Sequence, residues 1–115
     1  MSFKAVSREV GGVTVIDMDG RITLGEGSDL LRELIEEKLR SGRKKIIMNL
    51  AGINYIDSTG LGELVSVYRQ MKNQGGELKL LNLNKKVSDL LQITKLYAVF
   101  DIHSDEAQAV ASFRS

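Results

Sequence analysis

The stretch Ile53-Asn54-Tyr55-Ile56-Asp57-Ser58-Thr59-Gly60-Leu61-Gly62 decides the fold of this chain, because it joins the end of a strand to the start of a helix. Asp57, Ser58 and Thr59 lie where this helix begins. Short polar side chains there accept hydrogen bonds from first-turn N–H groups, and the helix dipole favours an anion. The three residues therefore form either a simple helix cap or a functional site. The helix is predicted by apolar residues at three- and four-residue steps: Leu61, Leu64, Val65, Tyr68 and Met71.

The composition is that of a globular chain and excludes several classes of function. With 115 residues, 43% hydrophobic and 27% charged, the chain is expected to form one domain over residues 1–115. The net charge of +1 provides no field that would draw it to nucleic acid or an anionic membrane. Cysteine is absent, and no apolar run approaches the roughly 20 residues that span a bilayer. The N-terminus lacks the apolar segment of a signal peptide, so we expect a cytoplasmic protein without membrane insertion.

One basic cluster interrupts this balance, and it follows the first predicted helix. Cations at a helix C-terminus offset its partial negative charge, and no aromatic residues are interleaved to stack on bases. We therefore predict no direct contact with nucleic acid from the cluster Arg40, Arg43, Lys44 and Lys45.

The predicted elements follow the order β-β-α-β-α-β-α-β-α. This order indicates an α/β fold with a mixed, mostly parallel sheet of about five strands and four helices. Gly11 and Gly12 predict the tight turn of an opening antiparallel hairpin. The almost unbroken apolar run from Ile46 to Leu50 is typical of a central strand covered on both faces.

Several boundaries follow from local signals. Asp19-Gly20 is expected to end the second strand, and residues 21–27 to form a loop that turns one or two side chains inward, with Ile22 and Leu24 as the candidates. Ser28 is expected to cap the first helix, and Asn84 the third. The last strand is predicted over residues 99–102. The last helix is expected to bury Ala107, Val110 and Ala111.

The residues around Ser58 fit no enzyme motif. Gly60-Leu61-Gly62 lacks the third glycine of a dinucleotide fingerprint, since Val65 stands there, and no P-loop occurs. A nucleophile elbow at Ser58 would need glycine in place of Ile56. The position of His103, the one imidazole, leaves open whether it reaches Ser58. We predict a protein that is not an enzyme and has no metal or cofactor, and we interpret three carboxylates as turn and cap residues: Asp17, Asp19 and Asp57.

The motif at Ser58 resembles that of a known family. Ile56-Asp57-Ser58-Thr59-Gly60-Leu61-Gly62, preceded by the strand Ile46 to Leu50, is similar to the phosphorylation motif of the STAS-domain family, in particular of the bacterial anti-sigma-factor antagonists. Thr59 stands where some family members have serine. The likeness covers nearly the whole chain and includes Gly12-Val13-Thr14-Val15-Ile16 with Gly20, Gly75-Gly76, and Phe100 followed by Ser104-Asp105-Glu106-Ala107.

The resemblance implies an anti-sigma-factor antagonist. Its unphosphorylated form is expected to bind an anti-sigma factor that is also a serine kinase, and thereby to release a sigma factor. Phosphorylation of Ser58, with Thr59 as second choice, is expected to abolish this binding, and a phosphatase is expected to restore it. The alternatives are a non-catalytic STAS scaffold subunit of a stress-signalling or membrane-transport complex, and a small hydrolase that uses Ser58. The implied partner-binding residues are Asp57, Ser58, Thr59, Gly60, Leu61 and Gly62.

Elementary electrostatics adds a mechanism to this resemblance. A phosphate on Ser58 brings about −1.5 to −2 charges to a helix N-terminus, where an anion is tolerated or favoured, so the fold need not change. We expect it to act at the interface through desolvation, bulk and repulsion of partner carboxylates, with Asp57 adding negative charge. Gly60 and Gly62 leave the first turn bare, either for close approach of a partner or for close packing on the neighbouring strand.

Overall fold

The computed structural model describes residues 3–113, so the predicted domain of 1–115 extends past the described residues at both ends. The predicted element order is confirmed. A short 3₁₀ helix, Leu96–Ala98, precedes the last strand, which begins two residues later than the predicted range of 99–102. The strands are Phe3–Val10 (β1), Val13–Ile22 (β2), Lys45–Ile56 (β3), Glu77–Leu81 (β4) and Asp101–His103 (β5). The helices are Glu26–Arg40 (α1), Ser58–Asn73 (α2), Lys85–Ile93 (α3) and Glu106–Ala111 (α4).

The strands lie side by side in chain order, β1-β2-β3-β4-β5. β1 and β2 form the predicted antiparallel hairpin, whose turn places Gly11 at φ 55° and Gly12 at φ 82°. All other neighbours are parallel. Parallel strands in sequential order are joined by right-handed crossovers that all turn the same way, so α1, α2 and α3 lie on one face of the sheet. The mixed α/β fold expected from the sequence is thus confirmed.

Each face of the sheet has its own hydrophobic cluster. The larger cluster fills the space between the sheet and α1 to α3, and it includes Ile16, Met48, Leu31, Leu64 and Leu91. The smaller cluster lies under α4 and consists of Val13, Val15, Ile47, Leu81, Ala109 and Phe113. The strands alternate between these clusters, since successive side chains of a strand point to opposite faces.

The second strand runs further than the Asp19-Gly20 pair predicted. β2 continues to Ile22, so the prediction that it ends at Gly20 is wrong. Gly20 takes φ 100°, and the register between β2 and β3 shifts on either side of Asp19-Gly20. A Cβ at Gly52 of β3 would overlap the Asp19 carboxylate, so glycine is needed where the strands shift. Such bulges bend paired strands without separating them. The β2–β3 pair continues past the end of β4, which pairs with β3 only as far as Asn49.

The first helix begins before its predicted cap. Gly25, at φ 95°, occupies the N-cap position, so the assignment of Ser28 is wrong. The Ser28 hydroxyl instead donates to the carbonyl of Thr23 at 2.9 Å. Gly27 lies against the backbone of β2, where a Cβ would come within 2.6 Å of the Arg21 carbonyl oxygen. Because Gly25 adopts a positive φ and Gly27 leaves room for the β2 backbone, α1 begins earlier than the polar residue Ser28 predicts.

The last helix buries a different face from the one predicted. Ala109 is fully buried and Phe113 follows in the same cluster, whereas Ala107 and Ala111 are exposed and Val110 is half-buried. Six residues give too few repeats for a helical period to identify the buried face. The buried face of α4 is determined instead by the apolar patch of the sheet on which the helix packs.

Asn84 joins the third helix to the sheet and is the cap that the sequence predicts. Its Oδ1 accepts a hydrogen bond from the backbone N–H of Val87 at 2.9 Å. Its Nδ2 donates to the carbonyl of Ile53, in the part of β3 that extends beyond β4. α3 is therefore held beside the strand end that leads into α2.

Arg8 joins three elements on the face that carries α4. Its guanidinium lies 2.7 Å from the carboxylate of Asp17 on β2 and 2.6 Å from that of Glu106 on α4. Asn49 also donates to Asp17, at 2.8 Å. Hydrogen bonding to Arg8 lowers the pKa of both carboxyls. The network therefore ties the short α4 to the hairpin electrostatically.

The start of α2 lies directly against the end of β2. The Asp57 N–H donates to the carbonyl of Ile22 at 3.3 Å. A Cβ at Gly60 would overlap that same carbonyl, whereas a Cβ at Gly62 would meet nothing within 4 Å. The close packing that one alternative assigned to both glycines therefore holds for Gly60 alone.

Replacing Gly60 by alanine is expected to destabilise the fold by at least about 2 kcal/mol, because the added methyl must displace the backbone of β2. Gly62→Ala is the matched control in open space. It should raise stability by up to about 1 kcal/mol through helix propensity. Urea unfolding followed by circular dichroism measures both variants. Equal stabilities would contradict the packing role of Gly60.

Arg8→Met is expected to lower the free energy of unfolding by on the order of 1 kcal/mol at neutral pH. The pKa values of Asp17 and Glu106 are lower in the folded than in the unfolded chain, from ordinary values of 3.8 and 4.5. Their stabilisation is therefore complete above those ordinary values and is lost as the pH falls through the folded values. Urea unfolding at neutral pH and near pH 3 should show the variant's deficit shrinking in acid. A deficit that is constant with pH would disprove the linkage.

Candidate functional site

Asp57 caps α2 and also fixes the loop that precedes α1. Its Oδ1 accepts the backbone N–H of Gly60 at 2.8 Å, the hydrogen bond of a helix N-cap. Its Oδ2 accepts the N–H of Leu24 at 3.0 Å. The N–H of Gly60, followed by that of Leu24, lowers the pKa of the Asp57 carboxyl. Asp57 is therefore a charged structural residue, as the cap interpretation expects, and it holds two loops together.

Ser58 and Thr59 form the exposed first turn of α2. Among residues 3–113, the Ser58 hydroxyl has no hydrogen-bond partner in the protein. Residues four apart lie above one another on a helix, so Ser58 shares a face with Gly62 and Thr59 shares a face with Glu63. These two faces differ in what surrounds them.

The face below Thr59 is occupied by an ion pair between helices. Oε1 of Glu63 lies 3.1 Å from the guanidinium of Arg32 on α1, and the Glu63 side chain is only 12% exposed. Arg32 also pairs with Asp29 at 3.0 Å. The face below Ser58 is open, because Gly62 has no side chain and nothing lies within 4 Å of its Cβ position.

Two exposed apolar side chains flank the motif. Leu24, whose N–H binds Asp57, is 75% exposed, so the expectation that it turns inward is wrong, whereas Ile22 is buried as expected. Tyr55 is 45% exposed, and the Arg21 guanidinium lies 5.4 Å from the centre of its ring. The sequence gives no signal for these positions beyond the presence of apolar residues beside a turn.

His103 lies far from Ser58. Within the sheet, His103 of β5 is paired with Leu81 of β4, and Leu81 is paired with Asn49 of β3. From Asn49, β3 continues to Ile56 before Ser58 begins α2. At about 3.3 Å per strand residue, this places Ser58, at the start of α2, roughly 20 Å beyond Asn49 along the strand direction. The imidazole Nε2 instead lies 3.2 Å from the Asp101 carboxylate. The hypothesis of a hydrolase with His103 as base has no support in this geometry.

The described residues around Ser58 form neither a free phosphate cradle nor a metal site. The Gly60 N–H, which a phosphate cradle would use, is already bound by Asp57. Within residues 3–113, no group of three His, Asp or Glu side chains is placed to hold a metal ion. None of the described helices has both the length and the apolar character to cross a membrane.

A family model and several known proteins match this chain. The family model described as "STAS domain" matches residues 4–109 of the chain. The anti-sigma F factor antagonist of Paenibacillus polymyxa is 26% identical over 100 residues, which cover 86% of this chain and 85% of that protein. The anti-sigma-B factor antagonist of Bacillus subtilis (strain 168) is 45% identical over 53 residues, 46% of this chain and 49% of that protein.

A solved structure supports the same fold. The Bacillus cell fate determinant SpoIIAA in its phosphorylated form superposes with a TM-score of 0.73 at 21% identity, covering 96% of this chain and all of that one. The residues matched by the family model begin in β1 and end in α4. The chain therefore belongs to the STAS domain family.

Proposed function

We propose that this protein is an anti-sigma-factor antagonist that is switched off by phosphorylation of Ser58. Unphosphorylated, it binds an anti-sigma factor with serine kinase activity and thereby frees a sigma factor, and a phosphatase restores the binding form. The protein itself performs no catalysis. The observation that carries the proposal is an exposed serine hydroxyl, without a protein partner among residues 3–113, at the N-terminus of α2.

Two comparisons support the role and the modification. Relatives such as that of Paenibacillus polymyxa are anti-sigma factor antagonists. A protein of the same fold was solved in a phosphorylated form. Both features are transferred to this chain as part of the proposal.

The surroundings favour Ser58 over Thr59 as the acceptor. A phosphate on Thr59 would lie one turn from the Glu63 carboxylate, and like charges four residues apart destabilise a helix. A phosphate on Ser58 would lie above Gly62, where the surface is open to a kinase and to a partner. Gly62 therefore serves partner access in this proposal, while Gly60 serves packing.

The switch acts at the interface and leaves the fold intact. Among the described residues 3–113, the Ser58 hydroxyl makes no hydrogen bond that a phosphate would break, and the N-terminal end of α2 favours an anion. In the complex, the phosphate must be desolvated and meets partner carboxylates, with Asp57 beside it. Losing such an electrostatic match costs several kcal/mol, which corresponds to about a thousandfold in affinity.

Ser58→Ala is expected to bind the anti-sigma factor kinase of its own organism within about twofold of wild type, because only a hydroxyl is removed. It should accept no phosphate from that kinase. Thr59→Ala is the matched control and should be phosphorylated like wild type. Titration calorimetry and phosphosite mass spectrometry give the two readouts. Phosphate on Ser58→Ala would move the acceptor to Thr59 or elsewhere, and absence of any kinase partner would favour the scaffold alternative.

Ser58→Asp should weaken binding only partly, by about tenfold, because one carboxylate carries less charge than a phosphate. Its circular dichroism spectrum and that of the phosphorylated protein should match wild type. Loss of helix signal on phosphorylation would show that the switch acts through the fold and would contradict this mechanism.

A further inference from the structure

A groove lies beside the phosphorylation motif and shares one residue with it, Ile56. It has a volume of about 270 Å³ and runs between the end of β3 and the first turns of α3. Its lining is mostly apolar: Tyr55, Ile56, Val87 and Leu90, with Lys86 at the edge. Ile56 is followed directly by Asp57, so the groove continues from the surface around Ser58.

The apolar surface continues from the groove along α3. Lys86, Leu90 and Ile93 are spaced by four and three residues and so form one stripe on this helix. Leu90 is half-buried, but Ile93 is 78% exposed. An exposed isoleucine that extends an apolar groove is a feature of interaction surfaces rather than of a solvated helix face.

The charges at the groove edge are cations without carboxylate partners among residues 3–113. Lys86 is exposed and has no ion pair, whereas its neighbour Lys85 pairs with Asp89 at 3.0 Å. Arg21 lies over the Tyr55 ring and has no ion pair either. The two carboxylates next to lining residues in sequence already have partners, Asp57 in two backbone N–H groups and Asp89 in Lys85. The groove therefore presents an apolar floor with a positive edge.

We propose that this groove receives a segment of the protein partner that carries an apolar anchor residue flanked by carboxylates. The inference rests on the proposed function, since the partner is the one that Ser58 regulates. Apolar side chains fill the groove and contact Ile93, while the carboxylates pair with Lys86 and Arg21. Anchors of this kind in desolvated pockets dominate the affinity of protein interfaces, and opposite charges steer the encounter.

The proposal also explains how a phosphate on Ser58 opposes this partner. The acidic segment that the groove attracts would end beside the motif, so the phosphate adds negative charge where the partner is itself negative. Lys86 and Arg21 attract the segment, and phosphoserine repels it. Specificity then depends on both an attractive and a repulsive element.

Charge reversal on α3 tests the groove. Lys86→Glu is expected to weaken binding of the anti-sigma factor kinase by at least about tenfold, and Ile93→Ser by about fivefold. Lys85→Glu is the matched control on the same helix, and Val6→Ser, a 61% exposed valine on β1, is the control for loss of an apolar side chain. Both controls should bind within about twofold of wild type. Calorimetry measures binding, and circular dichroism verifies the fold of each variant.

Phosphorylation measured in parallel separates the two proposals. Wild-type affinity in Lys86→Glu and Ile93→Ser, with binding still lost on Ser58 phosphorylation, would overturn the groove and leave the proposed function in place. Weakened binding in these variants, with no effect of phosphorylation, would support the groove and overturn the switch. Self-association of the free protein that Ile93→Ser abolishes would identify a second copy as the occupant and overturn the groove assignment. No binding by wild type would overturn both.

Discussion

The contact between the first turn of α2 and the end of β2 is the constraint on which the site depends. Gly60 lies so close to the Ile22 carbonyl that any side chain would overlap it. Asp57 stabilises the same contact: one of its carboxylate oxygens caps α2, and the other accepts a hydrogen bond from the Leu24 N–H. These contacts therefore fix the position of α2, the conformation of the loop before α1 and the direction in which Ser58 points. Their rigidity keeps the serine exposed without involving it in the fold.

The sheet topology determines which surfaces are free beside these contacts. Sequential parallel strands place α1, α2 and α3 on one face. In the part of the chain that the structure describes, the opposite face is covered by the short α4 alone, which Arg8 joins to the hairpin through Glu106. The β2–β3 pair extends past β4, because β4 has only 5 residues and β3 has 12. The strand end thus projects beside α3 and creates the groove next to the motif. Motif and groove are adjacent because Ile56, which lines the groove, directly precedes Asp57, whereas α3 reaches this place only through the fold, where Asn84 binds the Ile53 carbonyl.

The residues at the start of α2 have separate roles, and this separation explains how a modification can alter binding without altering the structure. Asp57 makes the structural hydrogen bonds and Gly60 the close packing, whereas the Ser58 side chain does neither within residues 3–113. Glu63 and Arg32 occupy the adjacent face of α2 and join it to α1. A new charge on Ser58 therefore encounters solvent and partner before it encounters the core. In the proposed function, the affinity of the complex responds to phosphate while folding stability does not.

The sequence by itself determined the element order, the hairpin at Gly11-Gly12, the cap at Asp57 and the resemblance of residues 56–62 to the STAS motif. These features depend on residues close in the chain, where period, turn chemistry and capping act locally. Only the tertiary structure decided the length of β2, the start of α1 and the buried face of α4, because each depends on a backbone or apolar patch distant in sequence. It also separated Gly60 from Gly62 and placed Leu24 and Ile93 at the surface. Gly60 and Gly62 are the same residue type in one helix turn, and they differ only in the atoms that the fold packs against them.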